Sequence, residues 1–304
     1  MAPTEDAVID AILQDAAERA YQRRLAGCLS SSHTTAPVRP ALQAAFCIDV
    51  RSEVFRRALE GLDPAIETIG FAGFFGLPVA HRAHGTDALD SHLPALLKPA
   101  LTVSSHAAGG EESAFRISAR ATRAWGRFRQ AAVSSFAFVE AAGLGYAAKL
   151  LSSALGLEAA RQTASPRPRF ELPLPSRIKA DIGARLLRSM GLRTNLARLV
   201  LLVGHGTHVT NNPHESAYQC GACGGHSGEV SARVLADLLN DIEVRAELAA
   251  RGVALPADTL FVAALHVTTT DEVRLFADTP APAHADDLAR ARAWLAAAGK
   301  LTRM

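Results

Sequence analysis

Apolar residues recur along this chain in two rhythms. Ala41 to Phe46, Ala197 to Val203 (ARLVLLV) and Thr259 to Val267 (TLFVAALHV) are near-continuous apolar runs. Such runs predict strands covered on both faces. Glu67 to Gly76 (ETIGFAGFFG) predicts a further strand that runs into a Gly-Phe turn. Helical spacing marks Glu5 to Ala26, with Val8, Ile9, Ile12, Leu13 and Ala16 on one side, and Gly228 to Asn240, with Val230, Val234, Leu235, Leu238 and Leu239. Glu53 to Leu62, the basic stretch Ser176 to Gly191 and the Ala-rich stretch Asp286 to Leu301 also predict helices. Strands separated by helices specify an α/β fold, a mainly parallel sheet flanked by helices.

Between these elements, Ser30 to Pro40 and Thr163 to Pro175 read as Pro-containing linkers. Leu77 to Ala108 reads as loop, and Thr207 to Gly228 as a long polar loop. Glu111 to Leu157 carries almost no strand signal. Residues 111–190 are expected to form a helical insertion within a single domain spanning 1–304. Inside it, Ala131 to Ala148 is apolar with Glu140 as its one charge. A buried helix or helix pair is the first expectation there, and a surface for a membrane partner the second. A membrane span comes third, because a charge in mid-segment is costly in a bilayer.

A length of 304 residues suffices for a large core, and 49% hydrophobic and 20% charged residues are ordinary for a soluble α/β protein. A net charge of +2 argues against a dedicated nucleic-acid surface. Four cysteines are too few for a disulfide framework in a chain of this length. Three of them sit in two polar clusters, which favours a reducing compartment and a metal; Cys28 reads as a bystander. The start of the chain, Met1 to Asp15, is acidic and lacks the basic stretch of a secretory signal.

The chemistry concentrates at Phe46-Cys47-Ile48-Asp49-Val50-Arg51-Ser52, after the first strand. In extended chain Cys47, Asp49 and Arg51 share one face, with Ile48 and Val50 toward the core. A second cluster comprises Gly204-His205-Gly206-Thr207-His208 and Cys220-Gly221-Ala222-Cys223-Gly224-Gly225-His226. Ligands of open parallel sheets bind beyond the carboxyl ends of strands, and Cys47 and His205 each end a strand. Cys47, Asp49, His205 and Cys220 form a donor set that suits tetrahedral zinc. The plainer alternative is three separate features: a core cysteine, a turn histidine and a loop Cys-x-x-Cys. Cys223 is a weaker candidate ligand, more readily a neighbouring or packing thiol. His208 could point into the site or into solvent. His226 could shuttle protons or lie on the surface. Gly224 and Gly225 could aim N–H groups at an anion or simply make a turn. His81, His84, His92 and His106 are irregularly spaced and expected in solvent.

Cys47-x-Asp49-x-Arg51 resembles the zinc-binding motif of β-class carbonic anhydrases. Taken with GFAGFFG (Gly70 to Gly76), GHG (Gly204 to Gly206) and CGACGG (Cys220 to Gly225), it resembles DabA, the zinc-containing subunit family of the DabA–DabB inorganic carbon transporters. The motifs lie within residues 41 to 272, and the chain, shorter than those proteins, is expected to correspond to their zinc core. The resemblance implies Zn²⁺ on Cys47, Asp49, His205 and Cys220, with Arg51 as the partner of Asp49. It implies CO₂/bicarbonate as substrate, a DabB-like ion-translocating membrane partner and a peripheral place on the cytoplasmic face of the inner membrane. Four protein ligands would close a zinc site to hydrolytic chemistry. Catalysis would then require Asp49 to leave the metal for Arg51, so that Asp49 is a gate and Arg51 its latch. A free-standing carbonic anhydrase and a structural zinc module are the rival readings.

Overall fold

The computed structural model describes residues 3–30, 38–106, 111–130, 135–155, 166–209, 212–276, 278 and 281–304. The chain forms two compact units, Met1–Val38 and Arg39–Met304. Among its described residues the first carries a helix, α1 (Glu5–Ser30), with no buried residue.

The second unit is built on a five-stranded sheet of order β2-β1-β7-β8-β9. Its strands are β1 (Leu42–Cys47), β2 (Ile66–Phe71), β7 (Leu199–Gly206), β8 (Leu260–Val267) and β9 (Glu272–Leu275). The pairs β1–β2, β1–β7 and β7–β8 are parallel, and β9 joins the edge antiparallel. The apolar runs therefore became the central strands, and every residue of β1, β7 and β8 is buried. Successive side chains alternate between two cores, as a period of two requires. Leu42, Ala44, Phe46, Leu199, Leu201, Val203, Leu260, Val262 and Ala264 pack under α2 (Val50–Glu60) and α9 (Ala285–Thr302). Ala45, Val200, Leu202, Phe261 and Ala263 face the other way, toward α5 (Ser176–Ser189), α7 (Glu229–Asn240) and α8 (Ile242–Ala250). Helices thus cover both faces of the sheet.

Leu77 to Ala108 is not loop. Among its described residues it carries β3 (Val79–Arg82), β4 (Asp90–His92) and β5 (Leu101–Ser104). With β6 (Arg169–Phe170) these make a second sheet of order β4-β3-β5-β6. Strands of two to four residues, with histidine, arginine and serine among them, are too short for an apolar period to show. Val79 and Val103 anchor this sheet in the core beside Phe75 and Leu77.

Helices α3 (Glu111–Gln130) and α4 (Ser135–Ala154) follow. The apolar stretch Ala131 to Ala148 falls on α4 except for residues 131–134, which lie outside the described residues. No helix among the described residues is long and apolar enough to cross a membrane. Helix α5 contributes Ala180, Ile182, Ala184, Leu186 and Leu187 to the main core. The polar loop after β7 contains a one-turn helix, α6 (Glu215–Tyr218), and a 3₁₀ turn at Gly221–Cys223.

Candidate metal centre

The centre forms where β1 and β7 end side by side, Phe46 being in register with Val203. That is the carboxyl edge of a parallel sheet, where ligand sites of such folds lie. Cys47 is the last residue of β1, and His205 is the penultimate residue of β7. The loop after β7 returns Cys220 to them. Gly204 permits the return: a Cβ there would stand 2.5 Å from the Gly228 carbonyl oxygen. The Gly228 N–H donates to the His205 carbonyl at 2.9 Å and pins the loop's far end. Cys220 is locked by its own N–H donating to His226 O (3.1 Å), while its carbonyl accepts from Cys223 N (3.0 Å) and Gly225 N (3.0 Å). Gly224 and Gly225 lie in the left-handed region at φ 67° and 82°, as this tight turn requires. Their N–H groups donate to Gly221 O and Cys220 O, so turn chemistry accounts for both.

One donor atom from each of Cys47, His205 and Cys220 lies within 4.8 Å of the others, and all three residues are buried. The two sulfurs are 3.6 Å apart and both thiols are free. Gly73, in the Gly-Phe turn, covers them without filling the space, since a Cβ there would come within 2.5 and 2.6 Å of the sulfurs. Among the described residues His205 Nδ1 is buried with no hydrogen-bond partner, a state that normally costs free energy unless something satisfies it. Hydrogen bonds from Cys223 and Cys47, then His205, hold the Cys220 thiol well below its ordinary range. Hydrogen bonding with Cys220, together with burial, pushes Cys47 and Cys223 up. Two sulfurs and an imidazole make a soft donor set of the kind that holds zinc, so the residues present fit the implied metal.

Asp49 stands at the rim. Its side chain caps α2, accepting the Arg51 N–H at 2.9 Å. The Arg51 guanidinium grips both carboxylate oxygens, Nε to Oδ1 at 2.8 Å and Nη2 to Oδ2 at 2.9 Å. Hydrogen bonding from Arg51 holds the Asp49 carboxyl below the usual carboxylate range. Asp49 Oδ2 also lies 3.4 Å from His205 Nε2. Arg51 Nη1 donates to the Tyr218 carbonyl at 2.8 Å, tying α2 to α6.

The extended-strand expectation for residues 47–51 is corrected here. The strand stops at Cys47 and the helix starts at Val50, so Ile48 and Val50 are 65% and 83% exposed rather than in the core. Asp49 and Arg51 meet because an N-cap carboxylate reaches forward to its own first turn, not because alternate residues share a face.

The remaining histidines divide. His81 and His92 are buried, against expectation. They lie diagonally across β3 and β4, His81 in register with Asp90 and His92 with Val79, with ring centroids 5.1 Å apart. His226 stacks on His92 at 4.5 Å, and His81 Nε2 lies 2.9 Å from Ser105 Oγ. His84 packs on Phe115, and the exposed His106 pairs with Glu112. His208 is exposed and outside the three-donor cluster.

A hydrogen-bonded array beside His205 carried no signal in the sequence. His266, in register with His205, has Nδ1 3.1 Å from Ser52 Oγ and Nε2 3.2 Å from Asp271 Oδ1. Ser52 and His266 are fully enclosed, so the array braces the first turn of α2 and is not an exposed nucleophile. No local motif joins residues this far apart. A cavity of about 580 Å³ lies elsewhere, lined by Arg167, Phe170, Leu174, Lys179, Val234 and Asp237 among others, none of them a residue of the centre.

Fold and site together define an α/β protein with a buried Cys₂His cluster at the carboxyl edge of its sheet. The sequence model of the family described as "Probable inorganic carbon transporter subunit DabA" matches residues 1–304, and the chain belongs to that family. Relatives carrying that description include proteins of Rhodopseudomonas palustris strain CGA009 (57% identical over 307 residues, 99% of this chain) and Xanthomonas euvesicatoria (57% over 311 residues, 100%). Another, from Allorhizobium ampelinum, is 58% identical over 312 residues, 99% of this chain. The chain spans 38% of the length of each of these relatives. No solved structure matches it.

Proposed function

We propose that this chain is the zinc-holding, CO₂-hydrating core of an inorganic carbon transporter subunit. It would work on the cytoplasmic face of the inner membrane with a DabB-like ion-translocating partner. The observation that carries the reading is the convergence of Cys47, His205 and Cys220 beside an Asp49 already gripped by Arg51. Bound zinc would supply a Lewis acid able to bring the ionisation of water near neutral pH. Cys47, His205 and Cys220 would hold it as a neutral set once both sulfurs are thiolates. Arg51, steadied by the Tyr218 carbonyl, would keep the Asp49 carboxylate engaged outside that set. On this reading Asp49 is the gate and Arg51 its latch. The transport role rests on membership of the family described as a probable inorganic carbon transporter subunit. A peripheral location accords with the absence of a spanning helix among the described residues.

A second reading is favoured by the 3.4 Å approach of Asp49 Oδ2 to His205 Nε2. A short movement of Asp49 would complete a four-ligand, structural zinc site. The deciding experiment measures zinc content in the wild type and in Cys47→Ala and Cys220→Ala, then CO₂ hydration with and without the membrane partner. Zinc in the wild type, lost in both variants, with hydration that needs the partner, is the expected result. Hydration by the chain alone would mark a free-standing carbonic anhydrase. Zinc without hydration under either condition would mark the structural site.

A further inference from the structure

Helix α3 carries two stripes. Arg116, Arg120, Arg123 and Arg127 recur at helical spacing along one face. Ile117, Trp125 and Phe128 lie along another and are 66%, 50% and 45% exposed. The start of α3 is anchored to the body of the unit. Phe115 packs on His84 at 4.7 Å, and Arg116 grips Asp87 at 3.0 and 2.9 Å. Beyond that anchor the helix is answered by α4, where Trp125 Nε1 donates to the Tyr146 hydroxyl at 3.2 Å. Val139, Leu150, Leu151 and Leu155 of the α4 segment are 65%, 72%, 63% and 71% exposed. Arg120, Arg123 and Arg127 are exposed and, among the described residues, have no carboxylate partner. Arginines elsewhere in the unit, such as Arg39, Arg198, Arg233 and Arg251, do have one.

We propose that the paired helices α3 and α4 form a surface for an anionic lipid bilayer, with Arg120, Arg123 and Arg127 on the headgroup phosphates and Ile117, Trp125 and Phe128 at the acyl boundary. A cationic stripe alone would suit any polyanion. The adjoining aliphatic and aromatic surface selects a bilayer, because a nucleic acid offers no place to bury Ile117 or Leu150. Arginine stems lie along apolar surface while their charges reach the phosphates, and Trp prefers the membrane interface. A helix with these two faces lies in the interface and does not cross it, in keeping with the absence of a spanning helix among the described residues. Nothing in this proposal depends on the metal centre.

The test uses the full 304-residue chain and vesicles of phosphatidylcholine with or without phosphatidylglycerol. Co-sedimentation is expected with the anionic vesicles only and should weaken as salt is raised. At about 1 kcal/mol per basic residue, replacing Arg120, Arg123 and Arg127 together by Glu should weaken binding by at least about 10²-fold. Replacing the same three by Lys should preserve it and shows that the fold tolerates change there. In a Trp294→Phe background, Trp125 emission should shift to the blue on binding. The shift is a readout that needs no charge-reversed variant. Equal binding to neutral and anionic vesicles, no binding to either, or unaltered binding by the Glu variant would overturn the proposal. So would retention on DNA without retention on vesicles.

Discussion

At Asp49 three donors of Arg51 converge on one carboxylate, its backbone N–H and two guanidinium nitrogens. Lys cannot reproduce a two-pronged grip. Arg51→Lys is therefore expected to keep its zinc but release Asp49 toward it, lowering CO₂ hydration at least about tenfold, an interaction change of about 1.4 kcal/mol. Visible absorption of the Co²⁺-substituted protein checks this, since an added carboxylate ligand changes the spectrum. An unaltered spectrum and rate would remove the latch role from Arg51. Ser52→Ala makes a different prediction. It leaves His266 Nδ1 buried without its partner at 3.1 Å, which should cost about 1–3 kcal/mol of stability, measured by urea unfolding, with zinc content unchanged. Cys47, Asp49, Arg51, His205 and Cys220 stood out in the sequence because thiol, carboxylate and imidazole at strand ends are chemically conspicuous. Ser52, His266 and Asp271 did not, because a serine in a helix turn and a histidine inside a strand carry no local signal.

The elements position these residues through close backbone approach. Gly73→Ala would drive a Cβ into both sulfurs. It is expected to abolish zinc binding while the chain still folds, read by metal content beside circular dichroism. Gly204→Ala meets backbone at Gly228 instead, where nothing flexible can give way. Overpacking of this kind costs about 1–3 kcal/mol or more, and thermal unfolding should show it. The second sheet contributes a pH dependence. Burial holds His81 down to about 4 and His92 down to about 3, from an ordinary value of 6.5. A depressed histidine binds its proton more weakly folded than unfolded. Its contribution to stability is therefore complete above about pH 6.5 and is lost as pH falls toward those lower values. Denaturant midpoints should fall between pH 7 and pH 4 in the wild type, and less steeply in His92→Gln. Equal slopes in the two proteins would show that His92 is not the source. The long strands and helices were legible because each repeats its period for several turns or residues. The strands β3 to β6 were not, because a few residues define no period.

At the scale of the whole molecule, the two cores on either side of the sheet place the centre at its carboxyl edge and, among the described residues, include none from α3 or α4. The chain matches 38% of the length of its relatives, so partner dependence is the decisive property to measure. Zinc-loaded chain is expected to hydrate CO₂ weakly by itself and strongly in membranes that contain the partner, followed by a stopped-flow pH indicator. Equal rates in both settings would return the function to a free-standing enzyme.

By itself the amino-acid sequence determined the α/β class, the order of the main strands and helices, and the residue types able to hold a metal. Hydrophobic periodicity and side-chain chemistry are local properties, written in consecutive residues. Only the tertiary structure decided that Cys47, His205 and Cys220 meet, that Ile48 and Val50 face solvent, and that His81 and His92 do not. Those outcomes depend on β1 pairing with β7, on an N-cap ending the strand at Cys47, and on a second sheet folding over the loop that carries Cys220. Each is a contact between segments distant in sequence or a competition between strand and helix, and neither leaves a periodic mark along the chain.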